Sequence, residues 1–294
     1  MSRSANQLPR HPWVTGARPR TLPASAVPVV VGTAVAIAEG HAVWWRAVVA
    51  LVVSVALQVG TNYANDYSDG VRGTDDVRVG PIRLVASGLA SPATVRAAAM
   101  GAFGVAAVGG LALAVAVTWW LIPVGAACIA AGWLYTGGPR PYGYAGLGEL
   151  FVFVFFGLVA TVGTAYVQVD RVTGLAVSAA VPVGLLAVAM LVVNNLRDIP
   201  GDTVSGKRTL AVRIGAPATR AVYVVAVGVP FAVAGALAVA RPWSVLALIA
   251  LPLAVPPIRR VLSGEEGKGL IAVLGATARL QLAFGALLAL GIAL

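Results

Sequence analysis

Apolar residues run along this chain in long blocks, with polar residues gathered between them. A helix that crosses a bilayer needs roughly 20 apolar residues. Nine blocks suit that role, at about 22–39, 43–62, 94–116, 118–136, 147–167, 173–195, 217–239, 243–261 and 270–293. Very short turns separate the third from the fourth and the seventh from the eighth, which predicts tight helical hairpins. Two polar connections are long, at about 63–93 and 196–216. Hydrocarbon offers backbone groups no water, so each block is expected to be helical. The expected fold is all-α: one polytopic membrane domain over 1–294, nine transmembrane helices in a bundle, with the two long connections capping one end.

Composition supports this and excludes other classes. The 294 residues are 59% hydrophobic and 11% charged, against about 25% charged in soluble domains. No single water-soluble core hides that much apolar surface. The net charge is +10, yet the basic residues are scattered over short connections, so they read as a topology signal and not as a nucleic-acid footprint. Of the 21 Lys and Arg residues, 17 fall on one side, only Arg46, Arg171 and Arg241 on the other, and Arg279 within the last block. The positive-inside rule then puts the N-terminus and both long connections in the cytoplasm, and the C-terminus outside the cell membrane. The opening MSRSANQLPRHPW has no apolar h-region, so no cleaved signal peptide is expected. The single cysteine, Cys128, lies in an apolar block and reads as a small core hydrophobe.

The acids add chemistry. The chain has 11, and six of them fall in two short clusters: Asp66, Asp69, Asp75 and Asp76 in NYANDYSDGVRGTDD, and Asp198 and Asp202 in NNLRDIPGD. Each cluster follows an even-numbered block, the second and the sixth, which suggests duplication of a four-helix unit. Asn62, Asp66 and Asp69 are spaced i, i+4, i+7, with Asn65 beside them, so on a helix they share a face. Asn194, Asp198 and Asp202 give a second set, interrupted by Pro200 and Gly201, which place Asp202 near a turn. Hard cations such as Mg2+ take carboxylate, water and phosphate oxygens. Two such sets facing each other would clamp metal ions against a diphosphate leaving group.

Cations nearby suit the phosphate oxygens: Lys207 and Arg208 directly after the second cluster, and Arg72 and Arg83 from the first connection. Tyr135, Tyr142 and Tyr144, with Arg140, end the fourth block. They are interfacial aromatics whose faces can also stabilise a developing carbocation. Arg279, inside the ninth block, is a candidate partner for a substrate carboxylate. Arg18 and Arg20 read as topological anchors.

Four stretches resemble the UbiA superfamily of intramembrane prenyltransferases, and within it the 1,4-dihydroxy-2-naphthoate (MenA-type) branch: ARPRTLPAS, NDYSDGVRGTDD, PRPYGYAGLGELFVFVFFGLVATVGT and NNLRDIPGDTVSGKRTLAVRIG. The resemblance implies a bundle around a central cavity. It implies Mg2+ held by Asp66, Asp69, Asp198 and Asp202, with Asn62 and Asn65 in support, and diphosphate contacts from Lys207 and Arg208. It further implies a polyprenyl diphosphate donor and a 1,4-dihydroxy-2-naphthoate acceptor, joined with loss of CO2 in menaquinone synthesis. Two positions depart from the wider pattern: Gly73 where a further aspartate is common, and Pro139 where a lysine is common. A relative acting on 4-hydroxybenzoate or homogentisate would carry the same clamp. A cation-coupled transporter would instead place its acids in broken helices at mid-span; here they sit at block ends.

Overall fold

A computed structural model describes residues 11–74 and 82–294. Asp75, Asp76, Arg3, Arg10 and Arg78 lie outside the described residues. Each expected block is helical. Helix α1 (Pro12–Ala17) and the turn Pro19–Thr21 lead, with a 50° bend, into α2 (Pro23–Ala38). Then come α3 (Trp44–Arg72), α4 (Pro92–Ala116) and the shorter α5 (Leu121–Leu134). The fifth span is composite: α6 (Gly148–Val152), a π-helical segment Phe153–Val159, and α7 (Ala160–Val169). After it run α8 (Gly174–Val204), α9 (Leu210–Leu237), a 3-10 stretch Pro242–Ala250 continuing as α10 (Leu251–Leu262), and α11 (Gly269–Ala293). Seven of these spans are long and apolar enough to cross a bilayer unaided, and the bent α1–α2 pair makes an eighth. The fourth block forms the 14-residue α5, too short to span by itself.

The largest differences from the expected boundaries fall at the ends that carry the clusters. α3 runs to Arg72 and α8 to Val204, so the long connections begin later than expected and all four described cluster aspartates lie on helices. Pro200 removes one ladder hydrogen bond. The last turn is still closed by the Ser205 amide donating to Gly201 O at 2.9 Å and the Lys207 amide donating to Asp202 O at 2.8 Å.

α8 is the central helix. Its span is 72% buried, against 28% for α4, and its Val, Leu and Ala side chains pack into one core with α2, α9 and α11. Close approach replaces the hydrophobic effect as the glue between helices in lipid. At the π segment, a Cβ on Gly157 would stand 2.6 Å from Gly184 Cα on α8, so glycine is required at this crossing. The outer surface is apolar, with Val108 and Val239 largely exposed. Trp44, Trp45, Trp119, Trp120 and Trp243 are exposed near the starts of α3, α5 and the Pro242–Ala250 stretch, which suits the headgroup boundary at that end.

Candidate active site

The parallel placement of α3 and α8 in the bundle brings their polar ends to one cavity of about 1100 Å3. Asn65, Asp66, Asp69, Asn194, Asp198 and Asp202 all line it. These described members of the two clusters, more than 100 residues apart in sequence, therefore line one cavity.

Their aspartates are held differently. Asp66 is fully buried. It accepts from the backbone amides of Leu84 (2.9 Å, Oδ2) and Val85 (3.0 Å, Oδ1), which pins the segment after residue 81 over the site. Asp69 Oδ1 accepts from the Tyr144 hydroxyl and from Lys207 Nζ at 3.3 Å, while Oδ2 lies 3.8 Å from the Arg83 guanidinium. Lys207 Nζ is also 4.0 Å from Asp202 Oδ1. Asp198 is forked by its neighbour Arg197 through two contacts of 2.7 Å. Burial, reinforced by the adjacent Asp69 carboxylate, pushes the Tyr144 phenol well above its usual range, so it stays a donor. Lys207 Nζ also sits 4.7 Å from the centre of the Tyr144 ring.

Other sequence candidates take varied positions. Arg83 is buried and lines the cavity. Tyr135, Asn65 and Asn194 line it too, and with Arg18, Thr21 and Leu191 they also line a second, narrower cavity of about 280 Å3. That second space runs between apolar and aromatic side chains such as Val53, Leu57, Phe155 and Phe156. Asn65 accepts from the Thr136 hydroxyl at 2.7 Å. Asn62 uses its amide structurally: it donates to Ala17 O at 2.8 Å and accepts from Gln58 at 3.2 Å, tying α1 to α3.

Three cations expected at the substrate stand elsewhere. Arg72 donates to Thr136 O and Gly138 O and stacks 5.6 Å from the Tyr144 ring, bracing the loop after α5 outside the cavity lining. Arg208 is exposed, and its backbone amide donates to Tyr144 O at 2.9 Å. The turn at Gly206 precedes Lys207, and the two adjacent side chains diverge, so Lys207 enters the cavity and Arg208 does not. Arg279 is exposed on α11, away from the residues that line the cavity.

The structure also shows partners that the sequence reading missed. Arg197 pairs with Asp198. Asn195 donates to Glu149 at 2.8 Å, linking α8 to α6. Glu149 carried a signal, being an acid inside an apolar block.

The arrangement sets Lys207 and Arg83 among carboxylates in a polar cavity that adjoins an apolar one. The sequence profile of the UbiA prenyltransferase family matches residues 25–269. The chain belongs to that family. It is 55% identical over 262 residues to 1,4-dihydroxy-2-naphthoate octaprenyltransferase of Mycobacterium tuberculosis, covering 89% of this chain and 90% of the relative. The Escherichia coli enzyme of the same name is 35% identical, covering 95% and 94% of the two chains. Among solved structures, a UbiA homolog from Archaeoglobus fulgidus bound to GPP and Mg2+ matches the fold with a TM-score of 0.66 at 14% identity, covering 95% of this chain and 99% of that one.

Proposed function

We propose that this protein transfers a polyprenyl group from polyprenyl diphosphate to 1,4-dihydroxy-2-naphthoate, releasing diphosphate and CO2 and giving demethylmenaquinol for menaquinone synthesis. The observation that carries the reading is the 55% identity to an enzyme of that activity over nearly the whole of both chains. The geometry supports it, because the donor's two chemical halves have matching spaces that meet at Asn65, Tyr135, Leu191 and Asn194. The diphosphate occupies the polar cavity between α3 and α8, and the chain lies in the apolar one.

Mg2+ suits the polar cavity. A Lys207 ammonium already stands between Asp69 and Asp202, so these carboxylates are set to flank positive charge. Among the described residues no three acidic, His or Cys side chains converge on one point; water and phosphate oxygens would complete the shell, as Mg2+ prefers. Asp69 and Asp202, with Asp66 and Asp198, would hold the metal, which would neutralise charge building on the leaving diphosphate.

Lys207 and Arg83 supply fixed positive charge where that anion develops, stabilising the transition state without reorganisation. The carbon–oxygen bond of the allylic diphosphate breaks, and the allylic carbon becomes carbocation-like. Aromatic rings follow one another from the junction into the channel: Tyr135 edge-on to Tyr142 at 5.5 Å, Tyr142 stacked on Phe151 at 3.9 Å, and Phe151 tilted against Phe155 at 5.9 Å. Their faces favour a cation, and the apolar walls keep water from it. The acceptor carbon bearing the carboxylate forms the new bond. The carbon–carboxylate bond then breaks, CO2 leaves, and its electron pair restores the aromatic ring.

Most basic residues fall in connections at the end that carries the aspartates, against Arg46, Arg171 and Arg241 at the other, which supports an N-terminus and active site facing the cytoplasm and a C-terminus outside.

The test is purified protein in nanodiscs with Mg2+, a polyprenyl diphosphate and a panel of aromatic acids, read by mass spectrometry. Prenylated, decarboxylated naphthalenediol is expected. A product formed from 4-hydroxybenzoate or homogentisate but never from the naphthoate contradicts the acceptor.

A further inference from the structure

The cavity wall made by α9 and α11 differs from the wall that carries the aspartates. Ala216 and Arg220 come from α9, Ile271 and Leu274 from α11, and Glu266 and Gly267 from the connection before α11. Three of these six residues carry apolar side chains, and one is a cation. Arg220 is only 16% exposed in its side chain. Its Nε is buried without a hydrogen-bond partner. Its acidic contact, Glu266 Oε1, is 3.5 Å from Nη2, and the Glu266 side chain is 81% exposed.

This is a poorly compensated guanidinium. A charge largely removed from water needs a close, well-aligned counter-charge, and a long contact to a solvated glutamate supplies little. The Nε–Nη2 edge of arginine is a planar fork matched to a carboxylate. By contrast, Lys207 and Arg83 already face Asp69.

We propose that Arg220 is the specificity-determining residue for the acceptor: it receives the aromatic carboxylate in place of Glu266, while Ile271 and Leu274 flank the ring. The inference rests on the aromatic-acid reading above and names the residue that recognises the acid. It divides the two substrate anions between two walls, diphosphate to α3 and α8 and carboxylate to α9.

The test is equilibrium binding to the full-length protein in nanodiscs, with three probes: 1,4-dihydroxy-2-naphthoate, the carboxyl-free 1,4-dihydroxynaphthalene, and a prenyl diphosphate with Mg2+. Arg220→Ala is expected to weaken the naphthoate by about 30-fold or more, the scale of a lost charged fork, and to leave the other two within about twofold. Arg220→Lys restores part of the loss, because the charge returns without the fork. Glu266→Gln, at an exposed site that leaves folding intact, is expected to tighten the naphthoate about threefold by removing its competitor. Unchanged naphthoate binding in Arg220→Ala, or an equal loss for all three probes, overturns the proposal. So does unchanged naphthoate affinity in Glu266→Gln, which keeps the proposal falsifiable if Arg220→Ala does not fold. Failure of the acceptor reading looks different: the unmodified protein then prenylates no dihydroxynaphthoate in the assay above.

Discussion

The Lys207 ammonium lies 3.3 Å from Asp69 Oδ1, although the two residues are 138 positions apart in the chain. That contact closes the cavity, joining the end of α3 to the turn that follows α8. Lys207→Met should lower kcat by about 100-fold, the usual scale for losing one preorganised charge at a leaving group. Lys207→Arg should recover part of it. Steady-state turnover with both substrates saturating is the measurement, and a Lys207→Met enzyme within twofold of the unmodified one contradicts the assignment.

Tyr144 holds Asp69 by its hydroxyl and Lys207 by its ring. Tyr144→Phe removes the first and keeps the second. A hydrogen bond to a charged group is worth about 1.5–3 kcal/mol, so a loss of about tenfold or more in kcat/KM for the prenyl diphosphate is expected. Tyr144→Ala loses both contacts and should fall further. Equal rates for the two variants contradict a role for the ring.

Asp66→Asn should free the segment after residue 81. The amide offers one acceptor oxygen to two backbone donors and turns its own NH2 toward the other. Hydrogen exchange at the Leu84 and Val85 amides is expected to quicken by about tenfold or more, following a loss of about 1.5 kcal/mol or more. Unchanged protection at those two amides sinks the anchoring role.

Gly157→Ala should destabilise the bundle by about 1–3 kcal/mol, because the added methyl meets Gly184 Cα where the π segment crosses α8. Gly163→Ala, on the same span, meets nothing within 4 Å and serves as the control. Thermal unfolding in detergent compares them; equal midpoints contradict the crossing.

Much of this was legible in the sequence because lipid imposes a simple rule. Long apolar blocks gave the spans, and the scarcity of acids gave both clusters. Helix ends were misjudged where residues 63–72 and 196–204 turn polar, since those turns are held by tertiary contacts such as Asp66 with Leu84 and not by an apolar pattern. Pro200 strengthened the error. The direction of single cations was also illegible. Lys207 and Arg208 are adjacent, yet only one enters the cavity. Arg279 carried the signal of a charge inside an apolar block but is exposed on α11, while Arg220, one base among many in its stretch, lines the site. Direction depends on the turn at Gly206 and on how α9 and α11 pack, and neither leaves a periodic trace.

Under the proposed function, two helix ends, at Asp69 and at Asp202, act as one site on one diphosphate. A double-mutant cycle tests it: Mg2+-dependent binding of a non-reactive prenyl thiodiphosphate to the unmodified protein, Asp69→Asn, Asp202→Asn and the double variant. Residues sharing one ligand couple by about 0.5–3 kcal/mol. Each single change is expected to weaken binding by about tenfold or more, and the double change to cost clearly less than the sum. Strictly additive losses, or either single variant binding like the unmodified protein, would contradict it.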